Sequence, residues 1–154
     1  MLFDPKHDLP LASLEAQLRG ARAPIAGLLS DVIAEACDFL PGRETAARLR
    51  INRLIAAGAW TDAALALVEL QLPQWSLRRI VYDDGEWHCC LSRQPQLPLG
   101  FDEVAEASHE ILSLAILVAF LEARRHAAAS ATAVTSVPHI GPTPDLAMCC
   151  DNFA

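Results

Sequence analysis

Glycine is scarce in this sequence, at seven of 154 residues, and the loops built on it are missing. There is no Walker-type G-x-x-x-x-G-K-[ST] run, no G-x-G-x-x-G turn and no G-x-S-x-G elbow. Phosphate cradles and strained nucleophile turns need those residues, so the common nucleotide-binding and serine-hydrolase designs find no support. Positive charge is also short. The formal net charge is −7, which argues against a protein that coats nucleic acid or an anionic membrane. Long apolar runs are absent as well. The most apolar stretch, Ile111 to Leu121, is bracketed by Glu110 and Glu122 and falls short of the ~20 residues that cross a bilayer. The opening residues MLFDPKHDLP lack the basic and apolar regions of a secretory signal. Five cysteines, an odd number that includes two adjacent pairs, do not make a secreted disulfide framework. They read as free thiols in a reducing compartment.

What is present is a globular composition. Hydrophobic residues make up 53% of the chain and charged residues 20%, enough for one domain with a real core. Residues 43–93 carry seven basic and six acidic side chains, whereas residues 94–154 carry two and seven. A local basic face is therefore expected only in the middle, around Arg43, Arg48, Arg50, Arg53, Arg78 and Arg79. Arginine suits phosphate, but the overall acidity favours a solvated helix face with carboxylate partners.

Helical patterns fill residues 1–73. Pro10 suits a first helical turn, and Gly20 ends that helix. A second helix opens at Pro24, with Ile25, Leu28, Leu29, Val32, Ile33, Ala36 and Leu40 on one stripe, and Pro41-Gly42 stops it. A third runs from about Glu44 to Ala57 and turns Ala47, Ile51, Leu54 and Ile55 inward. After Gly58, Thr61 reads as the N-cap of a fourth helix, closed by Pro73. The third and fourth form an antiparallel hairpin. The run LIAAGAWTDAALALVELQLP is similar to one tetratricopeptide unit. No second copy follows, so it reads as a plain helical hairpin.

Residues 75–93, WSLRRIVYDDGEWHCCLSR, carry the β-signal, with a tight turn at Asp83-Asp84-Gly85. Two registers compete. A two-residue loop puts Ile80 and Tyr82 on the face of Trp87, Cys89 and Leu91. A three-residue loop with Gly85 in a bulge puts Trp75, Leu77 and Val81 there instead, and its more continuous apolar face makes it the expected register. Glu86, His88 and Cys90 point the other way in both. Gln94 to Gly100 reads as loop, and residues 101–104 open a short acidic turn. A helix over 108–126, apolar nearly all round, is the expected cover for the hairpin. Residues 127–154 read as a mobile tail.

Candidate chemistry centres on the outer hairpin face. His88 and Cys90 lie on one side of a strand and offer nitrogen and sulfur donors, with Cys149-Cys150 within reach from the tail. Adjacent cysteines do not form a C-x2-C chelate, and no histidine pair has i, i+4 spacing, so neither metal nor cofactor is expected. Cys89, Cys90 and Ser92 are nucleophile candidates, but the sequence places no base beside them. Residues 58–93, followed by the ASHEILSLAILVAFLEARR helix, resemble small proteins of rhizobial-type alphaproteobacteria. That family has no assigned activity, so the resemblance transfers no functional residue. It implies a bacterial, cytoplasmic protein.

The expectation is one α+β domain over residues 1–126. It works without enzymatic activity, through contacts with a protein partner or a second copy, and not on nucleic acid or membrane. The alternative is a small enzyme or a metal or thiol protein using the His88/Cys90 face.

Overall fold

The computed structural model describes residues 8–24, 26–36 and 45–133. Leu40, Pro41-Gly42 and the segment 134–154, including Cys149 and Cys150, lie outside them. Five helices are described: α1 (Asp8–Gly20), α2 (Ala26–Ala36), α3 (Thr45–Ala56), α4 (Trp60–Gln71) and α5 (Leu112–Ala133). Between α4 and α5 lies an antiparallel sheet of three strands in the order β1 (Ser76–Asp83), β2 (Glu86–Ser92) and β3 (Val104–His109). The fold is α+β, with the long C-terminal helix packed on the sheet.

Helix α5 is the centre of the core. Every residue from Leu114 to Leu121 is buried, and so is Ala123. A helix apolar on all sides has no face to give to water and must be enclosed. The sheet encloses it along β2 and β3, and α1 and α4 contact it as well. The first helix contributes Leu14 and Leu18, one turn apart. The fourth contributes Ala63, Ala64, Leu67 and Val68, and its alanines permit a close approach. Among the described residues no helix is long and apolar enough to cross a membrane.

The junction between α3 and α4 has a specific chemistry. Gly58 takes φ +71°. Its N–H donates to the Ile55 carbonyl at 3.0 Å, while the Ala59 N–H donates to the Leu54 carbonyl at 2.9 Å. This is a Schellman ending, and the positive φ favours glycine. The expected cap at Thr61 is not there. Helix α4 begins two residues earlier, at Trp60, with Ala59 at the cap position and no side-chain capping bond. Thr61 therefore lies within the first turn.

The hairpin corrects the expected register. Asp83 pairs with Glu86, leaving a two-residue loop of Asp84 (φ 49°) and Gly85 (φ 85°). Two successive positive φ values make the mirror-image turn whose twist matches that of the flanking strands. Aspartate is one of the few side chains that accept such a φ. Ile80 and Tyr82 thus share the inner face with Trp87 and Cys89, and Val81 lies outside. The continuous apolar face sought in the other register is supplied differently. A bulge at Arg78 lets Leu77 pair with Leu91, returning Leu77 to the inner side.

Residues 104–109, expected as turn and helix start, form β3. Ala105 and Ala107 pair with Leu91 and Cys89 and are buried against α5. The alternation of apolar and polar residues in VAEASH fits a strand. Helix α5 starts later than expected, at Leu112, and continues to Ala133, because its alanine-rich extension keeps a high helix propensity.

The turn geometry predicts a clear asymmetry between its two positions. Replacing Gly85 with valine should destabilise the fold by about 1–2 kcal/mol, the cost of a left-handed conformation for an L side chain. Asp84→Asn should be close to neutral, because asparagine tolerates the same φ. Urea unfolding midpoints of the two variants check this.

Candidate functional site

The outer sheet face collects the residues singled out in the sequence. Across it, Val81, His88 and Ser108 form one cross-strand row, and Arg79, Cys90 and Glu106 the next. They border a shallow cleft of about 270 Å³, lined by Arg79, His88, Cys90, Glu106 and Ser108 among others. His88 is exposed. His88 and Cys90 do share this face, and Glu86 lies at its turn end.

The two cysteines are chemically quiet. Cys89 is buried on the inner side beside α5. Burial pushes its thiol up to about 12, and the neighbouring Cys90 adds to the shift. Cys90 faces outward, yet it is only 3% exposed, with the Arg79–Glu106 ion pair (3.9 Å) spanning its row. Burial again is the largest cause of a rise to about 11. Glu106 adds to it through a hydrogen bond and its charge, against a smaller downward pull from Arg79 and Arg78. A thiol with that pKa is neither a nucleophile nor a ready metal ligand at neutral pH. Among the described residues, no group of three or more His, Cys, Asp or Glu side chains could hold a metal ion.

Ser92, the third nucleophile candidate, is wholly buried and committed elsewhere. Its Oγ donates to Asp102 Oδ2. The same carboxylate accepts the Gln94 backbone N–H at 2.8 Å and the Arg78 guanidinium. Arg78 also donates to the Leu97 carbonyl at 3.0 Å. Asp102 therefore joins the bulge of β1, the end of β2 and the 94–102 loop, with its side chain closed to solvent. Nothing in the sequence paired these residues, because the contact depends on where the bulge sends Arg78.

A second polar knot lies beside it. Arg93 donates to Glu103 at 3.0 Å and to Gln74 at 3.1 Å. Glu103 accepts from Ser130 at 3.3 Å and lies 3.8 Å from His126 Nδ1. His126 in turn meets Trp75 edge-on, with ring centres 6.1 Å apart. Arg93, Gln74, Trp75 and Ser130 also border a groove of about 450 Å³, and these contacts fix the far half of α5 to the sheet. His109 does the same at the near end. Its Nδ1 accepts the Ile111 N–H at 2.9 Å, supplying a partner to a free donor at the start of α5.

The exposed chemistry of the sheet is at its β1 edge. Leu77 and Val81 are 40% exposed and Tyr82 59%. Tyr82 leans on Trp87, with ring centres 4.9 Å apart. Among the described residues, nothing pairs with the outer edge of this eight-residue strand. The loop carrying exposed Leu99 and Phe101 is tied to the same strand through Arg78. Sequence alternation alone did not mark this edge. Val81 reads as core until the register is known.

Two outcomes follow from the charges. Desolvation pushes the Asp102 carboxyl up, but bonds from Ser92, Gln94 and Arg78, with the Arg78 charge, outweigh it and hold it below the ordinary value. The folded pKa is thus below the unfolded one. The carboxylate's stabilisation is complete above about pH 4 and is lost as pH falls through the lower folded value. Urea midpoints should drop on acidification in the wild type and drop less in Asp102→Asn, which starts lower. Separately, iodoacetamide at about pH 8 should alkylate native Cys90 about two orders of magnitude more slowly than a free cysteine. Cys89 should be slower still. Peptide mass mapping before and after denaturation reads both.

Compared with family models, with curated proteins and with solved structures, the chain matches none of them.

Proposed function

We propose that this is a non-enzymatic, cytoplasmic protein-interaction domain whose contact surface is the β1 edge with the apolar side chains around it. The observation that carries this reading is an eight-residue edge strand whose outer edge is unpaired among the described residues and which displays Leu77, Val81 and Tyr82. Three of the six large apolar side chains exposed among the described residues lie on it, and Leu99 and Phe101 are on the loop held beside it. A free edge offers a row of backbone donors and acceptors, and exposed apolar side chains next to it supply the contact energy for strand addition. The partner is protein rather than nucleic acid or membrane, in keeping with a net charge of −7.

A second reading keeps the His88/Cys90 face as an enzyme or thiol site, because a cleft does border those residues. It ranks lower. Among the described residues His88 has no hydrogen-bond partner that would orient it as a base, and both strand thiols stay protonated. Fast alkylation of Cys90 at neutral pH would reverse that order.

The interaction reading is tested with a photo-crosslinking amino acid at position 81, and at Asp31 on α2 as the control. In a lysate of the source cell, position 81 should give discrete protein adducts, whether with another protein or with this chain, and position 31 should give none. Equal labelling from both positions, or none from 81, removes the reading.

A further inference from the structure

We propose that the partner at this edge is a second copy of the chain. The two β1 strands add to one another antiparallel and join two three-stranded sheets into one of six. The inference rests on the interaction reading and names its partner.

The two-residue turn decides which backbone groups are free. Asp83 and Glu86 close the turn as a hydrogen-bonded pair, and bonded and non-bonded pairs then alternate. Val81 therefore bonds to β2, while Tyr82 and Ile80 turn their N–H and C=O groups outward. An added strand must dock on those two residues.

The sequence at that edge is self-complementary. Arg79-Ile80-Val81-Tyr82-Asp83 runs basic, three apolar, acidic. Turned end for end about Val81, it sets basic against acidic and apolar against apolar. Val81 then faces its own copy on the two-fold axis. Ile80 exchanges two backbone bonds with Tyr82 of the second copy, and Tyr82 does so with Ile80. Arg79 lies opposite Asp83 at both ends. Both groups are available. Arg79 is 57% exposed and held only by the long pair to Glu106, and Asp83 is exposed with no ion pair of its own among the described residues. The same charges select the register. A slip of two residues parts both ion pairs, and a slip of four sets Arg79 or Asp83 against its own copy. Charged residues on a free edge usually repel wrong pairings. Here their order permits one.

Light scattering on the full chain tests this. The wild type should approach twice the 16.7 kDa chain mass as concentration rises. Arg79→Asp alone and Asp83→Arg alone each put like charges opposite one another, and each should weaken association at least tenfold. An equimolar mixture of the two variants should restore the dimer as a heterodimer, since every facing pair is then opposite in charge. A mixture that stays monomeric, with both variants folded by circular dichroism, overturns the proposal. So does a single variant that dimerises as the wild type does. Val81→Cys gives a reading that does not depend on those variants. Facing residues of a non-bonded pair lie ~4.5 Å apart at Cα, within disulfide range. Mild oxidation should thus link this variant into a dimer far beyond any linkage in the wild type, and linkage no greater than in the wild type overturns the pairing. A monomeric wild type that still crosslinks another protein from position 81 ends the self-pairing and leaves the interaction reading intact. No adduct of any kind removes both.

Discussion

The enclosure of α5 is the constraint to which the other elements answer. Six large side chains, Leu114, Ile116, Leu117, Val118, Phe120 and Leu121, are wholly inaccessible on one helix. At roughly 2 kcal/mol each, their burial is worth on the order of 10 kcal/mol, as much as the net stability of a typical domain. That gain is available only if apolar surface arrives from several directions. A two-stranded hairpin is too narrow to supply one side alone. The third strand widens that side, and Ala105 and Ala107 keep it thin enough for the helix to lie close. The alanines of α4 serve the same purpose from the helical side.

Covering α5 creates a polar problem at the sheet's margin, and Asp102 meets it. The β1 bulge is needed to return Leu77 to the apolar face, but it leaves Arg78 outside the regular pairing. The guanidinium then has one carboxylate and one carbonyl to satisfy it, on the loop that leads into β3. Ser92 and the Gln94 N–H complete the shell of that carboxylate. A buried carboxylate with several donors is far better placed than one with a single partner. Register, bulge and loop are thus one arrangement, and removing Asp102 would loosen all three.

The helical half was legible because its period is local. Leu29, Val32 and Ile33 announce a buried stripe wherever they end up. The hairpin turn was legible as a turn, but not its loop length. That depends on whether Asp84 or a bulge absorbs the twist, and the bulge that settles the matter lies at Arg78, six residues away in the chain. Strand β3 was missed because VAEASH is short and its pairing partner is remote in sequence. Of the candidate site, the sharing of one face by His88 and Cys90 follows from strand alternation alone. The burial of Cys90 does not, since it depends on pairing that sets Arg79 and Glu106 beside it on the two flanking strands.

That burial also bears on where function lies. A three-stranded sheet with one face against a helix leaves one face and its edges to water. On the outer face most of the residues with chemical potential are already occupied. Cys90 is screened, Ser92 is bound to Asp102, and Glu106 is paired with Arg79. Among the described residues, what remains without a partner is the exposed His88 on that face and, at the edge, the backbone of Ile80 and Tyr82, flanked by apolar side chains that gain nothing from solvent. Catalysis needs groups shifted toward reactivity, and here the shifted thiols move away from it. Strand addition needs a free edge, and among the described residues β1 past its bulge has one. The physical asymmetry between a quiet face and an unsatisfied edge is the ground on which the proposed interaction reading rests.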